Sequence, residues 1–397
     1  MQIQEKTTKP SGIALLNLGF RVFFLGASIF SILSISLWSA IYIFKIPLPI
    51  ESLTPFQWHA HEMIYGYSVA VIAGFLLTAA KNWTGIQTLT GKPLLLLFSL
   101  WAAARILFLS GTSTILIAGI ADILFLLFLF LSVSYPIFKV KQWMQLPILL
   151  ILALLTAGNV LFYLGVFDII DNGVVWGIYG GLYFVVGLVL IMGGRVIPFF
   201  IERGVGYPIK LFDSRWISIS IQILFFGFVI SELFLNAPSL SAYLALGLFL
   251  INASRLIGWH THGIWKKSLL WSLYLAFWFI CLGFLLFAGN HFFGLSKFIA
   301  IHAFAFGGIG VVTMGMMSRV ALGHTGRSIE TPPKAIAYAL GILLVGAIIR
   351  VIVPLFDTSF YIYWIGISQA LWIISFLIFT IVYLPIFAKP RIDGQPG

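Results

Sequence analysis

The sequence predicts an all-α membrane protein, a polytopic helix bundle of about twelve transmembrane helices with both termini in the cytoplasm. Three observations predict it. Of the 397 residues, 61% are hydrophobic and only 9% are charged, against roughly 25% charged in a soluble domain. The mean hydropathy is +1.07, and apolar runs of about 20 residues, the length a bilayer core requires of a helix, recur along almost the whole chain. The basic residues, finally, fall in alternate connections between those runs.

Taken in order, the spans are expected near residues 20–44, 60–80, 93–110, 113–138, 146–167, 174–200, 215–235, 239–257, 268–289, 295–318, 334–355 and 361–387. They form one transmembrane domain over 1–397, with 1–19 and 388–397 as cytoplasmic tails. The opening stretch MQIQEKTTKPSG has no short apolar core followed by a small-residue cleavage site, so the first span is expected to be retained. Lys6, Lys9 and Arg21 precede or open that span; Lys81, Lys92, Lys139, Lys141, Arg203, Lys210, Arg215, Lys266, Lys267, Arg327, Lys334, Lys389 and Arg391 come in every second connection, while Glu51, Asp168, Asp171 and Asp357 occupy others. Short basic loops stay in the cytoplasm, which sets the orientation. The net charge of +11 therefore reports topology, and no nucleic-acid partner is expected. Trp58, Trp83, Trp143, Trp176, Trp216 and Tyr361 near span ends fit interfacial belts. Cys281 is the only cysteine and has no intrachain partner, so packing is its expected role. Gly307 to Gly310 lie inside a span, where close helix packing explains them better than phosphate binding.

The stretch WHAHEMIYGY, Trp58 to Tyr67, concentrates chemistry-bearing residues at the start of the second span. A zinc protease would need a second histidine one turn after His61-Glu62, but Tyr65 stands there. His59 and Glu62, three apart, would share one helical face, with His61 turned away. Either this group binds metal or it caps and anchors the span. His302 lies about 7 residues into the tenth span, roughly 10 Å below the membrane edge. Arg105 and Arg350 come at the ends of the third and eleventh spans on that same side, and Asp122 is a few turns down the fourth. Ionisable groups at this depth are costly and face the bundle interior. Two histidines from different spans suit axial ligation of a haem, and arginines suit its propionates; the competing reading is an Arg105–Asp122 ion pair that only neutralises itself. A second polar group, Arg195, Arg255, His260, His262, Arg319 and His324, gathers toward the other side. His260-x-His262 has copper- or zinc-ligand chemistry, but Lys266 and Lys267 beside it favour a solvated loop. His291 is expected at the surface. Neither a P-loop nor a Ser-His-Asp or Cys-His arrangement is present.

Three long segments, WHAHEMIYGYSVAVIAGFLLTAAKNWTG (58–85), GGRVIPFF (193–200) and IHAFAFGGIGVVTMGMMSRVALGHTGR (301–327), resemble the signature segments of the NnrS family of bacterial membrane proteins. The resemblance implies a multi-pass protein of the bacterial inner membrane that carries haem, of the b type, and copper, interacts with nitric oxide or another small neutral ligand, and protects against nitrosative stress. If it is an enzyme, a haem-dependent oxidoreductase acting on nitric oxide or a related nitrogen species is implied, with an electron donor that the resemblance does not identify. Carried over residue by residue, the family's histidines match His59, His61, His302 and His324, and its arginines match Arg105, Arg195 and Arg319. With Glu62 and Arg350 added, these are the candidate haem and metal residues. The chain departs from the family pattern where FRPFF, LFHL and LLWxLHLGY are expected: it has FRVFF, LFYL with Tyr163 and LLWSLYLAF with Tyr274. Two rival functions are a secondary transporter and a respiratory enzyme like the haem-copper oxidases or nitric oxide reductases; a cytochrome assembly factor is a third. A transporter would gather polar groups at mid-depth, where Asn159 stands nearly alone.

Overall fold

The computed structural model describes residues 13–212 and 214–395. Lys6 and Lys9, with most of the tail expected at 1–19, lie outside them. Twelve helices among the described residues are long and apolar enough to cross a membrane, which makes this a multi-pass membrane protein: α1 Gly19–Tyr42, α2 Pro55–Thr84, α3 Gly91–Leu109, α4 Thr112–Lys139, α5 Trp143–Val166, α6 Gly173–Gly204, α7 Arg215–Leu233, α8 Pro238–Trp259, α9 Ser268–Phe293, α10 Lys297–His324, α11 Lys334–Leu355 and α12 Tyr361–Ala388. No strand occurs among the described residues. An even number of crossings brings the start of α1 and the end of α12 to one face, called here the terminal face; the opposite one is the distal face.

Burial ranks the helices. The most apolar window of α2 is 89% buried and those of α9 and α10 are 72% buried, whereas that of α7 is 28% buried. The first three form the centre, and α7 presents most of its surface outward. Around them, α1 packs on α2 and α12, α11 on α12, α5 on α6, and α8 on α9. Leu33, Leu131, Ile223 and Leu250 are among the side chains left outward, as expected of helices solvated by lipid.

The second span begins five residues before its expected start at 60. The Thr54 hydroxyl accepts a hydrogen bond from Gln57 N, and Gln57 Oε1 accepts one from the Thr54 N–H, with Pro55 opening the first turn. This capping box satisfies the orphan donors of the helix start. The consequence is functional: His59 and His61 already sit on a formed helix.

Two stretches depart from 3.6 residues per turn. Glu62–Ser68 in α2 and Ala303–Gly310 in α10 are π-helical, a rare widening that is frequent at functional sites. The first touches α10 just beyond the second, where the Tyr67 hydroxyl and Thr313 Oγ1 are 2.5 Å apart. Gly307 is needed where α10 crosses α9, since a Cβ there would lie 2.2 Å from Phe279 Cδ1. On the terminal face, fully buried Arg21 donates through Nη1 to the carbonyls of Ile386, Phe387 and Lys389 at 3.2, 2.8 and 2.8 Å, capping the end of α12 with a cation.

Candidate functional site

The distal half of the bundle holds two polar groups, not one. The expected pairing of His59 with Glu62 on one face does not occur. Glu62 pairs with Arg105 of α3 and His61, while His59 stacks on Trp38 of α1 and lies within electrostatic reach of Arg350 of α11.

In the first group, His61, Glu62, Arg105, Asp122 and Asn159 come from α2, α3, α4 and α5. Arg105 bridges two carboxylates, pairing through Nη1 with Glu62 Oε1 and lying through Nη2 2.5 Å from Asp122 Oδ2. His61 Nδ1 lies 3.1 Å from Glu62 Oε1, and Nε2 lies 3.0 Å from Asn159 Oδ1 and 3.6 Å from Asp122 Oδ2. Its ring stacks on Phe162 at 4.2 Å. The Tyr163 hydroxyl donates to Asp122 Oδ2 at 3.3 Å. His61, Glu62, Asp122 and Asn159 are wholly buried. Such a charge cluster survives in low dielectric only because every member faces an opposite or hydrogen-bonding partner. It gives both nitrogens of His61 a partner and sets each terminal nitrogen of Arg105 against a carboxylate. The Arg105–Asp122 ion pair weighed against haem binding therefore exists, and Arg105 and Arg350, expected to act together on one macrocycle, belong to separate groups.

The second group, nearer the distal surface, is built from α1, α2, α10, α11 and α12. His302 Nδ1 donates to the Phe298 carbonyl at 2.7 Å, which fixes the tautomer and leaves Nε2 as an acceptor; Arg350 Nη2 occupies that acceptor at 3.1 Å. Arg350 Nη1 also donates to the Tyr361 hydroxyl at 3.2 Å. His59 lies within electrostatic reach of both Arg350 and His302. Its ring stacks almost parallel on Trp38, 4.4 Å away and inclined by 8°, and its buried Nδ1 has no hydrogen-bond partner. A metal-ligating imidazole has one nitrogen held and the other presented; His302 has Nδ1 held by the backbone and Nε2 covered by Arg350, and His59 has an orphaned Nδ1. Of the two groups, the second holds an imidazole nitrogen without a partner, and the first does not.

The remaining candidates are dispersed toward the terminal face. Arg195 donates to Gln145 Oε1 and the Met144 carbonyl and, with Arg255, lines a small cavity of about 50 Å3 between α5, α6, α7 and α8. Arg319 lies 3.9 Å above the Phe200 ring. His324 accepts from Asn82 Nδ2 at 3.4 Å. His260 accepts from Trp265 Nε1 at 3.2 Å, with His262 5.8 Å away ring to ring. Among the described residues, no three His, Cys, Asp or Glu side chains converge as metal ligands. Tyr163 and Tyr274 serve as hydrogen-bond donors, the latter to the Leu256 carbonyl at 3.2 Å.

Three contributors were not read from sequence as site residues: Trp38, Tyr361 and Asn159. Tyr361 passed for an interfacial anchor, and Asn159 seemed isolated because its partner is 98 positions away. A polar residue at mid-depth was itself the available signal.

Comparison with curated proteins gives no match. The family model described as NnrS protein matches residues 14–391, nearly the whole chain and all twelve helices, including both π segments and every residue of the two distal groups. The chain belongs to the NnrS family.

Proposed function

We propose that the protein binds haem in the distal half of the bacterial inner membrane and, through it, interacts with nitric oxide in protection against nitrosative stress. The observation that carries this reading is the pairing of His302, whose Nδ1 is committed to the Phe298 carbonyl, with the unpartnered Nδ1 of His59. Haem, if held here by His302, would supply iron able to bind a small neutral diatomic. The chain supplies the rest. His302 presents Nε2, and the Phe298 carbonyl keeps that nitrogen unprotonated and oriented. Arg350, which now covers Nε2, offers a planar fork suited to a carboxylate. The stacked pair of His59 and Trp38, with Phe56 edge-on to Trp38 at 5.4 Å, walls the site with aromatic surface that excludes water. A neutral diatomic dissolves in lipid, so no polar channel is required. Copper forms no part of this reading.

Absorption spectra of the purified protein, oxidised and reduced, with and without nitric oxide, together with iron and copper analysis, test it. A haem band that shifts with nitric oxide, disappears in His302→Ala and persists in Arg195→Gln is expected. A colourless, iron-free preparation from cells supplied with haem would sink the proposal, as would full haem retention in a His59→Ala, His302→Ala double variant.

A further inference from the structure

On the terminal face, where α1, α2, α10 and α12 end together, four cationic side chains gather. Arg21 stands at the start of α1 and Lys81 in the last turn of α2; Arg327 comes three residues after α10 and Arg391 three after α12. Hydrogen bonds tie these ends to one another. Arg21 reaches the Lys389 carbonyl at 2.8 Å, Arg391 Nη1 donates to the His324 carbonyl at 3.1 Å, Ile392 N donates to the Thr325 carbonyl at 3.3 Å, and Asn82, next to Lys81, contacts the His324 ring. Arg21 is consequently within electrostatic reach of Arg327 and Arg391, and Lys81 within reach of Arg391. The acid paired within the cluster is Asp393, clasped by Arg391.

Four positive charges and one negative leave a surplus that repels itself, and the repulsion grows as the dielectric falls toward the bilayer. Two of the four have partners that account for them: Arg21 caps α12, and Arg391 holds Asp393. Among the described residues, Lys81 and Arg327 have none. Lys81 is half-buried, and Arg327 Nη1 is buried with no acceptor. A buried guanidinium N–H without an acceptor is costly and points to an absent one.

We propose that this cluster binds the anionic phosphate of a phospholipid headgroup, with Lys81 and Arg327 donating to the phosphate oxygens. Phosphate suits both donors, Arg as a fork and Lys as a point charge. A lipid is the source because all four side chains stand at helix ends, the depth at which headgroup phosphates lie, and basic pockets between transmembrane helices at that level take anionic headgroups. The acyl chains then run along the apolar flanks of the same helices.

The test is a Lys81→Gln, Arg327→Gln double variant of the full chain, with Lys266→Gln, Lys267→Gln as a control that removes the same charge elsewhere on that face. Native mass spectrometry of each protein, delipidated and then titrated with phosphatidylglycerol or phosphatidylcholine, reads bound lipid; inorganic phosphate is titrated in parallel with thermal unfolding as readout. Wild type and control should prefer phosphatidylglycerol by roughly tenfold, the double variant should lose that preference, and inorganic phosphate should stabilise weakly or not at all. Equal affinity of wild type for both lipids, or an undiminished preference in the double variant while it still elutes and unfolds as a folded protein, would overturn the proposal. Stabilisation by inorganic phosphate without a lipid preference would overturn the lipid source.

Discussion

Arg105 Nη2 lies 2.5 Å from Asp122 Oδ2, with Arg105 3% exposed and Asp122 wholly buried. With Glu62 on its other side, the arginine holds together α2, α3 and α4 at a depth where water cannot replace it. Removing one partner of a buried pair strands the other's charge and typically costs about 3–5 kcal/mol. Arg105→Met, which strands two carboxylates, should therefore lower the thermal midpoint more than Asp122→Asn, which leaves the Glu62 pair. Thermal unfolding of both variants in one detergent checks this; equal midpoints would show that the cluster is not held by charge.

The crossing of α9 and α10 predicts a contrast between two glycines. In Gly307→Ala the new methyl would meet Phe279 Cγ and Cδ1 at 2.3 and 2.2 Å, and overpacking of this kind costs about 1–3 kcal/mol. Gly341, in the middle of α11, has nothing within 4 Å of a new Cβ, so Gly341→Ala should stay within about 0.5 kcal/mol of wild type. The two midpoints, measured side by side, should differ clearly; if they coincide, Gly307 is not there for close approach.

The C-terminal clasp carries a pH dependence. Arg391 donates through Nε and Nη2 to the two carboxylate oxygens of Asp393, at 2.9 and 2.6 Å. These bonds, with the Gln395 amide and the arginine's charge, hold Asp393 down at about 2 from an ordinary 3.8. The native value lies below the unfolded one, so the contribution is complete above pH 3.8 and is lost as pH falls through about 2. Hydrogen exchange of the Ile392 amide, which bonds the Thr325 carbonyl, should be flat from neutral pH to about 4, once corrected for intrinsic rates, and should rise below it. Asp393→Asn should show the raised exchange throughout. A wild-type rise near neutral pH would place the responsible group elsewhere.

The features legible in the sequence are those set by local interactions. The twelve spans were legible because bilayer thickness sets a length that hydropathy reports directly. Helix starts were not, where a cap lies outside the apolar run: Thr54, Pro55 and Gln57 carry a readable box, yet they precede the run that marked the span. The distal histidines were legible as residues but not as groups. Which of His59 and His61 would join His302 could not be read, because the two point to different sides of α2 and only the packing of neighbouring spans decides what each meets. Partner choice was also invisible, since His61 takes Asn159 from α5 and His302 takes Arg350 from α11, pairings that only the packing of distant spans decides.

The two π-helical stretches have a genetic consequence. A widened turn of this kind is what a single inserted residue leaves behind in an α-helix whose flanks are held in place, and each residue added or removed rotates the N-terminal part of the helix by about 100° against the C-terminal part. One in-frame codon deleted between Glu62 and Ser68 would shorten α2 by a single residue, keep its span of the bilayer, and still swing His59 and His61 off their partners. Such a deletion would pass any test of membrane insertion while dismantling both distal groups at once. Among descendants of this chain, length polymorphism of one residue in that stretch would therefore separate lineages that retain the site from lineages that have lost it.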